Sequence, residues 1–311
     1  MQKEILQNAL KGERIKKSFS KAHTLDILSG PGLLRKIKRL FFLPEIYIPY
    51  LFTSKMHIDR ESTSYLFWGK KIKIPLRDYD ALALHIYGFA GGNEQELRLV
   101  KFLIKNITEN DIFYDIGANY GFYTYLAEEL CKEIHTFEPI PKIAEVVTKN
   151  TSKASNIFVN NVALSDTTGS VDLYMSESSG LSTINVSTIK THTYTYSKSN
   201  KITVPTVTLD GYIAKHAKPT FLKIDVEGAE ELVIKGGKIF FIEHSPTISL
   251  EIWSSNNGGE ISMKAVEELR AIGYESFSIN NNGDMVEANG DLSRMVASSG
   301  GDNFIFKKKK L

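Results

Sequence analysis

The stretch DIFYDIGANYGFYT, residues 111–124, decides the fold of this chain. Its apolar residues 112–114 predict a short strand that ends at Asp115. The chain then turns through Gly117 and Gly121 into a predicted helix, and glycines at such a turn let the backbone approach a ligand closely. A strand, a glycine turn and a helix in this order are typical of the first unit of a parallel sheet that holds a nucleotide-type cofactor.

A second predicted strand, residues 134–137, ends at Glu138, whose carboxylate can accept hydrogen bonds from both hydroxyls of a ribose. Dinucleotide sites combine such an acid with a G-x-G-x-x-G turn, whose third glycine lets the helix N-terminus meet a pyrophosphate. This chain has G-x-x-x-G instead, followed by Phe122 and Tyr123. The missing pyrophosphate motif and the retained ribose acid indicate an adenosine cofactor without phosphates, which S-adenosylmethionine is.

Further motifs follow the same plan of an apolar strand that ends in polar residues. They are NVALSD at 161–166, TLD at 208–210, LKIDVEGAE at 222–230 and LE at 250–251. In their order and spacing, these motifs together with DIGANYG and FEP resemble the FkbM family of S-adenosylmethionine-dependent methyltransferases. The resemblance covers roughly residues 90–306 and implies a class I, Rossmann-like methyltransferase.

The resemblance also implies residues that bind the cofactor. Asp115, Gly117, Asn119 and Gly121 would surround its methionine and ribose portions, and Glu138 would bind the ribose. The residues placed near the adenine and the transferring methyl are Asn161, Val162, Ala163, Asp225 and Glu227. The competing interpretations are a helix N-cap for Asp115 and a plain core position for Val162.

Three carboxylates, Asp225, Glu227 and Glu230, lie within six residues at one predicted strand end and repel one another unless a positive group is near. Asp225 has three open interpretations: general base, divalent-metal ligand, or an acid that favours the following helix through its dipole. Glu251 could supply a second acid, and with Asp225 it would offer hard oxygen ligands to Mg²⁺ or Ca²⁺. The candidate bases are therefore Asp225, Glu251, Glu230 and His192, with Asp225 first.

Strands predicted near 112, 134, 157, 221, 247, 275 and 303 alternate with helices. This order predicts an α/β fold with a doubly wound, mostly parallel seven-stranded sheet. Residues 167–207, rich in Ser and Thr, interrupt the alternation with two predicted strands, 171–174 and 201–207, around a polar loop. We interpret this insertion as a lid that recognises the acceptor, with a plain edge hairpin as the alternative.

The chain divides into three predicted parts. Residues 1–60 form a basic, helical N-terminal extension, residues 61–92 a hairpin and a short helix, and residues 93–311 the methyltransferase domain. Asn93 stands three residues before Glu96, a capping pattern that opens a helix.

Composition limits the class of protein. The hydrophobic fraction of 42% excludes a disordered chain, and the single cysteine, Cys131, excludes an intrachain disulfide framework. The N-terminus carries charges where a signal peptide needs its apolar stretch. These features predict a cytoplasmic protein, and no His/Cys cluster at ligand spacing favours zinc.

The first 60 residues carry a strong positive charge. They hold 12 Lys/Arg and 5 Asp/Glu, a net +7, so the remainder of this +2 chain is −5. Four basic residues at 35–39 precede an apolar run, so residues 35–52 could lie on the anionic inner face of a membrane as a peripheral segment. The interpretation favoured over this one is a solvated basic helix whose apolar end packs on the catalytic domain. The basic residues are not interleaved with aromatics, so a nucleic-acid partner is not expected.

The family resemblance thus implies an O-methyltransferase, and we expect it to act on a hydroxyl of a sugar, a glycan or a secondary metabolite. Direct displacement needs sulfur, methyl and oxygen in line, and the acceptor oxygen must lose a proton. The alternatives are a noncatalytic scaffold that keeps the adenosine pocket and, less favoured because the third glycine is missing, a nicotinamide-dependent oxidoreductase.

Overall fold

A computed structural model describes the structure of most of the chain. The described residues are 2–12, 48, 61–76, 78–90, 93–175, 182–184, 201–255 and 259–308. His192, the candidate membrane-associating segment 35–52 apart from Ile48, and most of the predicted N-terminal extension lie outside them. The chain divides into two compact units, Met1–Leu97 and Arg98–Leu311. The finer division at residues 60 and 92 stays a prediction.

The elements are numbered here in chain order. The described helices are α1 (Gln2–Lys11), α2 (Tyr79–Tyr87), α3 (Glu94–Asn106), α4 (Phe122–Glu128), α5 (Pro141–Thr151), α6 (Leu209–Ile213), α7 (Glu230–Gly236), α8 (Lys238–His244), α9 (Gly259–Ala271) and α10 (Leu292–Met295). The described strands are β1 (Glu61–Tyr65), β2 (Lys71–Pro75), β3 (Ile112–Ile116), β4 (Glu133–Phe137), β5 (Ile157–Asn160), β6 (Ala163–Leu164), β7 (Gly169–Tyr174), β8 (Lys201–Val207), β9 (Phe221–Ile224), β10 (Thr247–Trp253), β11 (Tyr274–Ile279), β12 (Met285–Glu287) and β13 (Gly301–Lys308).

The first unit contains the predicted hairpin and short helix. Strands β1 and β2 pair antiparallel, and the turn closes where the Leu66 N–H donates to the Lys70 carbonyl at 2.9 Å. Helix α2 begins after Asp78, whose side chain accepts from the Asp80 N–H at 2.9 Å. Asn93 likewise accepts from the Glu96 N–H at 2.8 Å. The capping pattern predicted for the start of α3 is therefore present.

The second unit is built on one large sheet in the order β12-β11-β13-β10-β9-β3-β4-β5. Strands β5, β4, β3, β9 and β10 are parallel neighbours, and β13 pairs antiparallel with both β10 and β11. The predicted mostly parallel α/β fold is confirmed, and all seven predicted strands lie in this sheet.

The predicted number of strands was too small by one, because eight strands of this sheet lie within the described residues. The additional edge strand, β12, follows a tight turn after β11. In this turn Asn280 accepts through its side-chain oxygen from the Asn282 and Asp284 N–H groups at 2.9 and 3.0 Å. Gly283 takes the left-handed conformation, with φ of 78°, that reverses the chain.

Helices cover both faces of the large sheet. Successive side chains along each strand point to opposite faces, so each face packs a different set of residues against its helices. On one face Tyr114 and Ile116 of β3 join a buried cluster with residues of α6, α7, α8 and α9. On the other face Phe113 stacks on Phe221 with ring centroids 5.6 Å apart, and Phe102 of α3 lies 6.1 Å from Phe221. The sheet is therefore doubly wound, as predicted.

The Ser/Thr-rich insertion contributes to a separate three-stranded sheet. In it β8 pairs antiparallel with β7 and parallel with β6. Both strands predicted to flank the insertion are present. Residues 176–181 and 185–200 lie outside the described residues, so the interpretation of the insertion as a lid stays a prediction.

Among the described residues, no helix is both long enough and apolar enough to span a bilayer. Cys131 is a free cysteine and is buried.

Candidate active site

A cavity opens where the parallel strands of the large sheet end. Its empty volume, counted together with the open solvent at its mouth, is about 590 Å³. The lining residues follow the carboxyl ends of β3, β4 and β9 and include β6 and part of the insertion. Seven of the predicted cofactor residues line it: Gly117, Asn119, Glu138, Val162, Ala163, Asp225 and Glu227. Segments distant in sequence therefore meet at the edge where open α/β sheets bind ligands.

The loop after β3 follows a path that only unusual backbone angles permit. Gly117 and Asn119 have φ of 79° and 48°, in the left-handed region. The Gly117 and Ala118 N–H groups both donate to the Phe137 carbonyl, at 3.0 and 3.1 Å. These bonds join the end of β3 to the end of β4. They bring the predicted first motif next to Glu138.

Asp115 lies behind this loop rather than in the cavity lining. It is fully buried, and its Oδ2 accepts from the Thr124 hydroxyl at 2.7 Å. Its Oδ1 is buried without a hydrogen-bond partner among the described residues. Burial raises the pKa of the Asp115 carboxyl, while the nearby Lys223 ammonium opposes the increase. An unpartnered buried oxygen of this kind is suited to a donor from a bound ligand or a water.

Glu138 lines the cavity, although its side chain is largely buried. Its Oε2 accepts from the Asn119 N–H at 2.9 Å, and its Oε1 accepts from the Ile140 N–H at 2.8 Å. The carboxylate is therefore held in one orientation by the two loops that flank it. A carboxylate oxygen has two lone pairs, so it can accept from a ligand hydroxyl as well as from a backbone N–H.

The two remaining predicted cofactor residues support the cavity from outside its lining. The Asn161 side-chain amide donates to the Glu138 and Pro139 carbonyls at 2.9 and 3.0 Å, which fixes the turn that carries Glu138. Gly121 precedes α4 with φ of 81°. A Cβ on Gly121 would lie 3.0 Å from the Tyr125 ring, so this glycine allows close packing of the helix.

Lys223 is the positive group that the cluster of acids requires, and it is not among the residues predicted from the sequence. Its side chain is 5% exposed, and its Nζ donates to Asp225 Oδ2 at 2.9 Å. The ammonium also lies 4.8 Å from the centre of the Tyr123 ring. The signal was available, because residues two apart in a strand share one face and a lysine interrupts the apolar run FLKI.

Residues 225–229, between β9 and α7, form a loop that carries Asp225 and Glu227 and is called the acid loop here. Glu230 holds the backbone of this loop. Its Oε1 accepts from the Val226 and Gly228 N–H groups, both at 3.1 Å, while its Oε2 is buried without a described partner. Burial raises the pKa of this carboxyl to about 7. Glu230 is not among the described residues that line the cavity. Its proposed role as the base stays a prediction, and its contacts favour a positioning role.

Glu251 lies on β10 beside the acid loop. Asp225, Glu227 and Glu251 each have a carboxylate oxygen within 4.8 Å of the others. The predicted pair of Asp225 and Glu251 is therefore brought together, with Glu227 as a third member. These are the oxygen donors that Mg²⁺ or Ca²⁺ prefers, but Asp225 already carries the Lys223 ammonium.

His135 and His244, two of the described histidines, lie at structural positions. His135 of β4 accepts or donates at both ring nitrogens, to the Tyr212 hydroxyl and to Glu133, each at 2.7 Å. His244 ends α8 and lies 2.7 Å from Lys218 Nζ. Neither lines the cavity among the described residues.

Comparison with known proteins places the chain in a family. A model of the methyltransferase FkbM domain matches residues 115–276. The hexuronic acid methyltransferase AglP of Haloferax volcanii is 26% identical over 144 residues, which cover 45% of this chain and 56% of that protein. The chain thus spans little more than half the length of this relative.

Two solved structures are also similar. The methyltransferase FkbM of Methylobacillus flagellatus has a TM-score of 0.43 and 14% identity, covering 65% of this chain and 44% of that one. The precorrin-6y C5,15-methyltransferase of Geobacter metallireducens has a TM-score of 0.40 and 14% identity, covering 70% and 88%. The match to the FkbM domain covers more than half of the residues of this chain. The chain therefore belongs to the FkbM family of methyltransferases.

Proposed function

We propose that this protein transfers the methyl group of S-adenosylmethionine to a hydroxyl oxygen of a sugar, a glycan or another small metabolite. The observation that carries the proposal is the cavity itself. It joins the acid predicted to bind a ribose, Glu138, to the acid loop of Asp225 and Glu227. This reaction needs, in one site, a group that binds the cofactor ribose and a group that accepts the proton of the acceptor.

The lining of the cavity suits an adenosine cofactor. Glu138 would accept from the ribose hydroxyls, and the left-handed loop at Gly117 and Asn119 would let backbone approach the methionine portion. Phe137, Ile140, Val162 and Leu164 offer apolar contacts for the adenine. Asp115 Oδ1, which has no partner among the described residues, would accept a hydrogen bond from a water. That water would in turn accept from the cofactor ammonium.

The charge of the cavity favours S-adenosylmethionine over a dinucleotide. The charged side chains among the described lining residues are all carboxylates, those of Glu138, Asp225 and Glu227. A cofactor with a sulfonium and an ammonium group is attracted to such a site, whereas the pyrophosphate of a nicotinamide dinucleotide is repelled. This argument adds to the missing third glycine of the dinucleotide motif.

Asp225 is our proposed general base. S-adenosylmethionine supplies an electrophilic methyl group when it is bound. The Asp225 carboxylate would accept the proton of the acceptor hydroxyl, while Lys223 holds its Oδ2 at 2.9 Å and so fixes its direction. Glu251, close to Asp225, would bind a second hydroxyl of the acceptor. His192 stays an alternative base outside the described residues.

We propose that Lys223, rather than a divalent ion, compensates Asp225. A metal ion bound between Asp225 and Glu251 would have to displace the buried Lys223 ammonium from its ion pair with Asp225. Treatment with EDTA should therefore leave methyl transfer unchanged. Loss of activity in EDTA, with recovery on addition of Mg²⁺ or Ca²⁺, would contradict this assignment.

The relative from Haloferax volcanii is named for a hexuronic acid, which supports a sugar acceptor here. Carboxylate side chains hydrogen-bond well to neighbouring sugar hydroxyls. They repel an acceptor that is itself negatively charged, so neutral sugars should be the better substrates of this chain.

The deciding experiment is isothermal titration of the full chain with S-adenosylmethionine, S-adenosylhomocysteine and NAD. Micromolar binding of the two sulfur compounds without NAD binding supports the proposal. Transfer of labelled methyl groups to a panel of neutral and uronic sugars then tests the acceptor class. Failure of a folded sample to bind either sulfur compound would leave a noncatalytic scaffold as the better explanation.

Association of residues 35–52 with a membrane stays a separate prediction. Cosedimentation with anionic vesicles tests it, comparing the full chain with a variant in which Arg35, Lys36, Lys38 and Arg39 are replaced by Gln. Equal recovery of the two proteins would count against it.

A further inference from the structure

Thr183 links the insertion to the acid loop. Its hydroxyl donates to the Glu227 carbonyl at 2.6 Å, and its side chain is completely buried. Its backbone pairs with Tyr174 at the end of β7 through two hydrogen bonds of 2.9 and 3.1 Å. The position of Thr183 is therefore set by the small sheet, and its hydroxyl reaches across to another part of the chain.

The residue that Thr183 holds has an unfavourable backbone conformation. Glu227 has φ of 52°, a left-handed angle that costs free energy for a residue with a Cβ. Such conformations persist only where the surroundings enforce them. Here the N–H groups on either side, of Val226 and Gly228, donate to Glu230, and the carbonyl of Glu227 accepts from Thr183.

The same short segment forms part of the cavity wall. Ser182 and Ile184, on either side of Thr183, line the cavity together with Leu173 of β7. Ile184 and Leu173 are apolar, as are Val162 and Leu164 beside them in the lining. One segment of three residues thus contacts the cofactor cavity and also fixes the loop that carries the acids.

We propose that Thr183 is a positioning residue that fixes the acid loop of Asp225 and Glu227, and that Ile184 is a cofactor-binding residue that contacts the adenine. The second part rests on the proposed S-adenosylmethionine site. Through this segment the insertion completes the cofactor site before any acceptor binds. Loss of the Thr183 hydroxyl would release Glu227 from its left-handed conformation and displace both acids from the cavity.

Two measurements test the proposal without a known acceptor. Hydrogen exchange reports on the Val226 and Gly228 amides, and isothermal titration reports the Kd for S-adenosylmethionine. Thr183→Val should speed exchange of these amides at least tenfold and weaken cofactor binding about tenfold. Thr183→Ser keeps the hydroxyl and should stay within threefold of wild type in both. Ile184→Ala should weaken binding about tenfold and leave the exchange of these amides within threefold.

Thr206→Val is the matched control. Thr206 lies in β8 of the same small sheet, is 4% exposed and donates its hydroxyl to the Thr167 carbonyl at 2.9 Å. It is not among the described residues lining the cavity, so its loss should leave loop exchange and cofactor binding unchanged.

The outcomes separate the two proposals. If Thr183→Val matches Thr206→Val in both measurements, the positioning role is overturned while the methyltransferase function stands. If the wild type does not bind S-adenosylmethionine but Thr183→Val still frees the loop, the proposed function and the role of Ile184 fail and the positioning role stands. If Thr183→Val does not fold, Thr183→Ser and Thr183→Ala are measured by exchange, and equal exchange in these two variants would overturn the role of the hydroxyl.

Discussion

Gly117 and Asp225 approach each other so closely that no side chain fits between them. A Cβ built on Gly117 would lie 1.8 Å from the Asp225 carbonyl oxygen, far inside contact distance. The Asp225 N–H in turn donates to the Ile116 carbonyl at 3.0 Å. The loop after β3 and the acid loop after β9 are thus packed backbone against backbone, and the shape of the site depends on this contact.

Replacement of Gly117 by Ala should damage both fold and site. The substitution adds a Cβ at φ of 79° and forces the Asp225 backbone away. Left-handed strain and overpacking together should cost roughly 3 kcal/mol in the free energy of unfolding. Urea denaturation measures this cost, and isothermal titration should show loss of S-adenosylmethionine binding.

Gly169→Ala is the control for Gly117→Ala. Gly169 opens β7, and a Cβ there would meet nothing within 4 Å. Its stability and cofactor affinity should stay at wild-type values. A Gly117→Ala protein as stable as this control would contradict the packing argument.

Glu138→Gln should weaken S-adenosylmethionine binding on the order of 10–100-fold. The substitution removes the negative charge that is expected to accept from the ribose hydroxyls. It also replaces one of the two oxygens that accept from the Asn119 and Ile140 N–H groups by an NH₂ group. Hydrogen bonds to charged groups are worth about 1.5–3 kcal/mol, which sets this range. Titration calorimetry measures it, with Glu145→Gln on the exposed side of α5 as the control. Wild-type affinity in Glu138→Gln would show that Glu138 does not bind the ribose.

Lys223→Met should destabilise the protein because it leaves Asp225 beside Glu227 and Glu251 without its counter-ion. Removing one partner of a buried pair costs about 3–5 kcal/mol, and the lower end applies since the Asp225 side chain is 31% exposed. Lys201→Met is the matched control, since Lys201 pairs with Asp172 on the surface. Urea unfolding should separate the two variants clearly. Equal stability of both would mean that Lys223 does not compensate the acids.

Glu230 should make the stability of the protein depend on pH. Burial raises the pKa of this carboxyl from 4.5 to about 7, so between these values the folded chain holds a proton that the unfolded chain has released. Stability should therefore fall as pH rises from about 4.5 to 7 and stay reduced above 7. The total contribution is on the order of 3 kcal/mol, at 1.36 kcal/mol for each pKa unit.

Urea midpoints at pH 5, 6, 7 and 8 test this dependence. Glu230→Gln cannot titrate, so its stability should fall less than that of the wild type across the window. Glu267→Gln, at an exposed position of α9, should keep the wild-type profile. An unchanged slope in Glu230→Gln would assign the pH dependence to other groups.

The large sheet could be predicted because its signals are local. Short apolar strands that end in glycines or acids, separated by helical segments, specify a parallel sheet without knowledge of distant contacts. The eighth strand was missed because β12 has only three residues, and all three are exposed, so it carries no apolar pattern. An edge strand paired on one side needs no buried face.

The sequence by itself determined which residues lie at the carboxyl ends of the parallel strands, because strand ends follow from local periodicity. Seven of the ten predicted cofactor residues line the cavity for this reason. Tertiary structure decided how those residues are held. The Lys223 contact with the Tyr123 ring, the Thr183 bond to Glu227 and the packing of Gly117 on Asp225 join separate segments. Hydrophobic periodicity reports which face of an element is buried, but a hydrogen bond or a close contact between distant segments exists only once packing has placed their atoms together.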